Sequence, residues 1–256
     1  MMYLGLQQSV SICPAGESCS TTTTSGAGAQ FWQFSQSQLA STFGNLSGPN
    51  AEPSFGSCYT GFSNNPGANG PNSATFLNAG TSVTLTPPSG TALTLTPQSV
   101  GGYASATSST ALPSGTWSFS NGTGGSGVGP LSFNFPVPQQ VTWSNMAAAY
   151  GSQIVRTNPL TITWSGGDSN GYVDIQGSAS TALGAYYLGF ECAAPTSAGQ
   201  FTIPPSILLS MPTGAGAQAS IQVSTYAIPS SLGTISGFDL ALDASQFETS
   251  VPVIFK

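Results

Sequence analysis

The residues whose spacing most invites chemistry lie in Pro159–Gln176, PLTITWSGGDSNGYVDIQ. Asp168, Asn170 and Asp174 are hard oxygen donors at alternating positions, part of the spacing with which an EF-hand loop wraps Ca2+. The glycine position and the terminal bidentate glutamate of that loop are missing, so a polar turn is the principal reading. A calcium ion on Asp168, Asn170 and Asp174 is the alternative, and no other cofactor is expected. Hydrolysis by paired carboxylates needs two acids roughly 5–10 Å apart. The candidates are Asp168 with Asp174, Glu191, and Asp239 with Asp243, and none carries a cleft signature beside it. The chain has no histidine, which excludes Ser-His-Asp and Cys-His mechanisms. No glycine-rich loop stands between a strand and a helix to cradle phosphate. The chain therefore reads as a non-enzyme with no catalytic residues.

The elements around these donors are strands. Leu160, Ile162 and Trp164 alternate with Thr161, Thr163 and Ser165, the period of a half-buried strand. Tyr172, Asp174 and Gln176 alternate with Val173, Ile175 and Gly177 on the way back. Asn170-Gly171 between them is a hairpin-turn signal, because both residues tolerate positive φ. A β-hairpin that packs Trp164 into a core is the expectation.

Composition narrows the function class. The 256 residues carry two basic and eight acidic side chains, a formal net charge of −6 and only 4% charged residues. So little positive charge cannot neutralise phosphates, which argues against nucleic acid, and it offers nothing to an anionic membrane surface. Serine, threonine, glycine, asparagine and glutamine take the place of charge. Such a surface suits an extracellular coat, fibre or adhesin, and without charge repulsion self-association is expected. Apolar residues at 39% and aromatics at 10%, set at strand period, argue against disorder. No apolar run approaches the length of a membrane-spanning helix. MMYLGLQQSV lacks a basic n-region and a long apolar core, so export is expected through processing or another signal.

The four cysteines have no CxxC pairs, so zinc is not expected. An even count in a chain of secreted composition favours disulfides. Of the three pairings, Cys13–Cys19 with Cys58–Cys192 is preferred, and free buried thiols are the competing reading.

In chain order, Met1–Val10 reads as a strand and Ser18–Gly28 as a low-complexity linker or an edge strand. Phe31–Gly44 reads as a short helix or an aromatic plug. A strand around Phe55–Phe62 carries Cys58. Thr81–Thr86 and Thr91–Thr96 form a hairpin around PPSG. Tyr103–Thr107, then Leu112–Ser120 with Trp117 and Phe119 on one face, then Leu131–Val137 follow. Pro136–Gln140 reads as a stiff linker. Beyond it come one helical turn at Met146–Tyr150, the hairpin, and strands at Ala185–Cys192 and Gly199–Ile203. A short helix at Pro204–Pro212 opens on proline. Strands at Ala219–Tyr226, Thr234–Ala241 and Ser250–Phe255 complete the chain. The fold class is all-β: two Ig-like antiparallel β-sandwich domains, 51–138 and 139–256, after a partly irregular N-terminal segment, 1–50.

Several of these stretches carry a resemblance. They are LTITWSGGDSNGYVDIQGSAS at 160–180, FECAAPTSAGQFTIPPSILLSMP at 190–212 and GFDLALDASQFETSVPVIF at 237–255. LNAGTSVTLTPPSGTALTLT and LPSGTWSFS do the same in the first half. From about Phe55 onward the chain resembles a group of secreted Ig-like β-sandwich proteins of soil bacteria. The resemblance implies secretion and a sandwich fold, and it brings no activity, since the motifs are turn and core motifs.

Function is then expected to be structural: an extracellular or cell-surface protein that assembles with copies of itself into a fibre or coat. A terminal strand, Met1–Val10 or Val251–Phe255, is a candidate for completing a neighbour's sheet. The alternative is a glycan-binding or adhesive module that stacks sugars on Trp32, Trp117, Trp143, Trp164 or the Tyr186-Tyr187 pair, against the simpler reading that such aromatics are core. Asn45-Leu-Ser47 and Asn121-Gly-Thr123 are sequons in a eukaryotic host only.

Overall fold

A computed structural model describes residues 2–12, 21–34, 53–63, 75–99, 101–149, 153–180, 187–213, 218–227, 235, 237–239, 241–243 and 245–256. Among these the regular secondary structure is almost entirely β. The strands are β1 (Met2–Ser11), β2 (Thr22–Gln33), β3 (Ser57–Ser63), β4 (Thr75–Phe76), β5 (Val83–Thr86), β6 (Leu93–Pro97), β7 (Tyr103–Ala104), β8 (Gly115–Ser120) and β9 (Ser132–Val137). They continue as β10 (Val141–Trp143), β11 (Gln153–Ile154), β12 (Leu160–Gly166), β13 (Gly171–Ser180), β14 (Tyr187–Pro195), β15 (Gln200–Ile203), β16 (Gln218–Ala227), β17 (Ala241–Asp243) and β18 (Gln246–Phe255). Two single-turn helices, α1 (Met146–Ala149) and α2 (Pro205–Leu208), interrupt them. No helix among the described residues is long and apolar enough to cross a membrane.

One 15-stranded mixed sheet follows the path β3-β14-β13-β16-β18-β1-β2-β7-β6-β5-β8-β9, with β11 paired to β18, β17 to β1 and β4 to β2 beside it, and a separate three-stranded sheet runs β10-β12-β15. Most ladders are antiparallel. The exceptions gather at the centre, where β1 runs parallel to β18 and β17, and β11 runs parallel to β18.

Two cores follow from which face each strand buries. Val173, Ile175, Ile221, Val223, Val251 and Val253 of the large sheet meet Trp143, Ile162, Trp164 and Ile203 of the small one. In the other core, Leu4, Leu6, Ala29 and Phe31 meet Val83, Leu85, Trp117 and Phe119, because the sheet curls back on itself beyond β2. An edge-on contact between Phe31 and Phe119, at 6.2 Å, marks that closure. β18 supplies both cores from one face, with Phe247 in one and Val251, Val253 and Phe255 in the other.

Where the cores meet, the seam is polar. Gln8 is buried on the inner face of β1; its Nε2 donates to Gln140 Oε1 (3.1 Å) and its Oε1 accepts from Leu112 N–H (2.7 Å). One glutamine thus ties the first half of the chain to the segment expected as a linker. Gln140 is pinned to β1 and β18 through Gln8 and Thr249, and Gln139 to the turn at Asp168.

Three expectations change. The alternating runs around Asp168 do not form a hairpin: β12 pairs with β10 and β15, whereas β13 pairs with β14 and β16. The turn is an arch that carries the chain from one sheet to the other. Gly166 and Gly167 take positive φ (79° and 80°) to make the corner, and Gly171 N–H closes a turn onto Asp168 O (2.9 Å). Second, β2 is a twelve-residue strand, so the linker reading of Ser18–Gly28 fails from Thr22 onward. Its Ala27, Ala29 and Phe31 face inward while Thr24, Gly26 and Gly28 face outward, which is a strand's alternation written in small residues. Third, Ile235 and residues 237–239 are not extended, and the strand begins at Ala241. Of the Phe31–Gly44 expectation, residues 31–33 end β2 and residues 35–44 lie outside the described residues.

Candidate functional site: an open sheet edge beside a polar face

The donors singled out from sequence do not converge. Asp168 Oδ2 accepts from Gln139 N–H (2.9 Å), and Asn170 Oδ1 accepts from Ser169 Oγ (2.9 Å). Asp174 lies about 10 Å beyond Gly171 along β13, three residues on at strand rise. It is 1% exposed, on the outer face, with Ala193 and Ser224 as its ladder neighbours, and its Oδ2 accepts from Gln176 Nε2 (2.7 Å). Among the described residues, no three histidine, cysteine, aspartate or glutamate side chains form a cluster fit for a metal. Glu191 Oε2 accepts from the Tyr59 hydroxyl (2.6 Å), and Asp239 is exposed. Asp243 stands opposite Leu4 in the β1–β17 ladder.

Together these residues belong to a continuous outer face. Tyr59, Glu191, Gln176, Gln222 and Ser250 form one cross-strand row over β3, β14, β13, β16 and β18. Asp174, Ser224 and Glu248 form the next. Amides bridge the rows: Gln222 Nε2 and Gln246 Nε2 both donate to Ser224 Oγ (3.0 and 3.2 Å). Tyr172 stacks on Tyr226 at 5.1 Å, and Phe55, 52% exposed, leans on Tyr172 at 5.8 Å. Hydrogen bonds within the face engage Glu191, Asp174, Gln176, Gln222 and Gln246.

The face ends at β3. Cys58 is bonded to Cys192 directly across the β3–β14 ladder, with Cα atoms 4.1 Å apart. That close spacing marks a non-hydrogen-bonded pair, so the N–H and C=O of Cys58 point away from β14. The same alternation turns the backbone of Thr60 and Phe62 outward. These groups form an edge with no pairing strand among the described residues. The seven residues of β3, SCYTGFS, contain no charge and no proline, the two commonest guards of an exposed edge. The opposite edge, β9, carries Pro136, which has no N–H to offer a partner.

The preferred Cys58–Cys192 pairing is present; Cys13 and Cys19 lie outside the described residues. Both terminal strands expected to reach a neighbour are internal: β1 sits between β2 and β18, and β18 between β16 and β1. Of the aromatics considered for sugar stacking, Trp117, Trp143 and Trp164 are buried at 1%, 6% and 4% exposure. Trp32 alone of the tryptophans lies half-exposed, on the outer face; Tyr186 lies outside the described residues. Asn45 does too, whereas Asn121 is buried, with Nδ2 donating to Gly129 O and Oδ1 accepting from Leu131 N–H. A sugar on Asn121 would require opening that loop. No protein-family model matches the chain, and no curated protein matches its sequence.

Proposed function

We propose that the protein is an extracellular structural or surface protein that assembles with copies of itself, built as two Ig-like β-sandwich units sharing one sheet. The observation that carries this reading is the edge of β3, which has no pairing strand among the described residues, is pinned by a disulfide and is bordered by the exposed Phe55. A second copy laid antiparallel on that edge pairs the outward groups of Cys58, Thr60 and Phe62 and extends the sheet across a two-fold axis. The two cores support the sandwich units, and the disulfide with the 4% charge content supports an oxidising, extracellular setting.

Growth beyond a pair needs another contact. Val155, Leu209 and Ile254 expose 43%, 51% and 54% of their surfaces. They lie on adjoining segments at the β11–β18 end, where Arg156 Nη1 donates to Leu209 O (3.1 Å) and Met211 O (2.7 Å). Apolar side chains left out there supply the second interface of a fibre or coat.

Thr60→Pro tests the reading. Its N–H points outward, so proline removes a donor from the free edge and none from the β14 ladder. Negative-stain electron microscopy of purified wild-type chain should show ordered assemblies, and Thr60→Pro should abolish them while keeping the disulfide. Identical assemblies from both proteins would defeat the edge mechanism.

A further inference from the structure

The outer face of β1 and β2 holds a groove of about 700 Å³, within the roughly 300–1,000 Å³ typical of ligand clefts. Its floor has no side chains. Gly5 stands opposite Gly28, and Gly26 opposite Gln7, in the β1–β2 ladder. Glycine inside a strand weakens it and often marks a place where a ligand comes close to the backbone. Three on one face of two adjacent strands therefore call for an explanation. Among the described residues, packing of another chain segment does not give it at Gly26 or Gly28: a Cβ on Gly26 would meet only Ser105 Oγ, and one on Gly28 only Tyr103 O, each at 3.7 Å. A Cβ at either position makes no more than ordinary van der Waals contact.

The walls are uncharged and rich in groups that both donate and accept. Ser105 and Thr107 form one wall, Gln7 and Gln246 the other, with Ser9 and Thr24 at one end. Ser105 is held in place, its Oγ accepting from Ala27 N–H (3.0 Å) and donating to Ala106 O (3.0 Å). Tyr3 closes the far end, its ring 6.2 Å from that of Trp32, which in turn lies 6.0 Å from Phe76.

We propose that this groove binds a neutral glycan chain. Hydroxyls and amides match the hydroxyls of a sugar, which donate and accept in turn. The Tyr3 ring offers a flat apolar surface with a polar tip to the face of a sugar ring. The bare glycine floor lets the ring approach the backbone. A peptide is the poorer fit. β1 is paired on both sides, so no strand edge is free in the groove to add to, and no pocket waits for an apolar side chain. An acidic ligand finds no cation among the lining residues. This site stands apart from the β3 edge and does not depend on self-assembly.

The test is an array of neutral oligosaccharides, acidic oligosaccharides and peptides probed with the full chain, followed by titration of the best neutral hit. The expected result is binding to neutral glycans alone. Filling the floor with Gly26→Val and Gly28→Val should weaken it at least about tenfold, because valine occupies the ligand's space while suiting the strand. The melting temperature of this variant should stay level or rise. Gln7→Ala trims one exposed amide and guards against misfolding of the first variant; it should weaken binding about threefold through a lost hydrogen bond. Absence of any neutral hit, binding confined to peptides or acidic glycans, or undiminished binding by folded variants would overturn the proposal.

Discussion

At the residue scale, buried polar groups set up the clearest expectations. Asn121 satisfies Gly129 O and Leu131 N–H at once inside a loop. Asn121→Ala removes both bonds from a partly buried loop and should destabilise the protein by about 1–2 kcal/mol, read from the midpoint of chemical unfolding. Gln8 does a similar service between the cores, and Gln8→Ala should cost about 2 kcal/mol by the same argument. The Cys58–Cys192 bond closes a loop with a sequence separation of 134. Replacing both cysteines by alanine should remove roughly 2–4 kcal/mol, while Tyr59 and Glu191 still mark the register of the β3–β14 pair. Gly177 makes a different point. It faces Phe190 across the ladder, and a methyl group there would overlap the ring. Gly177→Ala should therefore cost about 1–3 kcal/mol through overpacking, even though alanine normally suits a strand better than glycine.

At the element scale, local pattern and long-range pairing separate cleanly. The β5–β6 hairpin was readable because TSVTLT and TALTLT alternate on both sides of a proline–glycine turn, and Val83 does face Leu95. Trp117 and Phe119 were readable as one buried face for the same reason. The proline opening of α2 was readable from Pro204-Pro205. The β12–β13 arch was not. A hairpin and an arch both need alternating strands and a turn with positive φ. They differ in whether the strands meet by backbone or by side chains, which depends on β10, β15, β14 and β16 far away in sequence. The glycines that make the corner are Gly166 and Gly167, not the Asn170-Gly171 step that signalled a hairpin. Gly167→Ala should destabilise the arch by about 2 kcal/mol, since its backbone is left-handed and a Cβ would press on Val141 and Thr196. β2 announced itself only as the strand alternative for Ser18–Gly28, because Ala27, Ala29 and small outward residues carry too little hydrophobic contrast for periodicity to register. The groove over β1 and β2 escaped notice for a related reason: its floor is made of glycines on two strands that only the fold brings together.

At the scale of the whole molecule, one sheet runs from the β3 edge through the shared β1–β18 centre to β9. Protection against hydrogen exchange should follow that order. Central β1 and β18 amides should exchange slowest and those of β3 and β9 fastest, as expected when edges open before the core. The parallel β1–β18 contact, which joins residues from opposite ends of the sequence, left no local sign, because parallel partners share no turn to signal them. With 4% charged residues, neither stability nor assembly should respond much to sodium chloride between low and physiological ionic strength, where screening changes most for charged surfaces. Leu209→Ser with Ile254→Ser should stop growth at the pair held by β3, separating the two contacts.

Sedimentation velocity over a concentration series tests the central claim most directly. The wild-type chain should shift from monomer to dimer and larger species as concentration rises, while Thr60→Pro remains a monomer throughout. A wild-type chain that sediments as a monomer at every concentration, or a Thr60→Pro chain that associates equally well, would contradict assembly through the β3 edge.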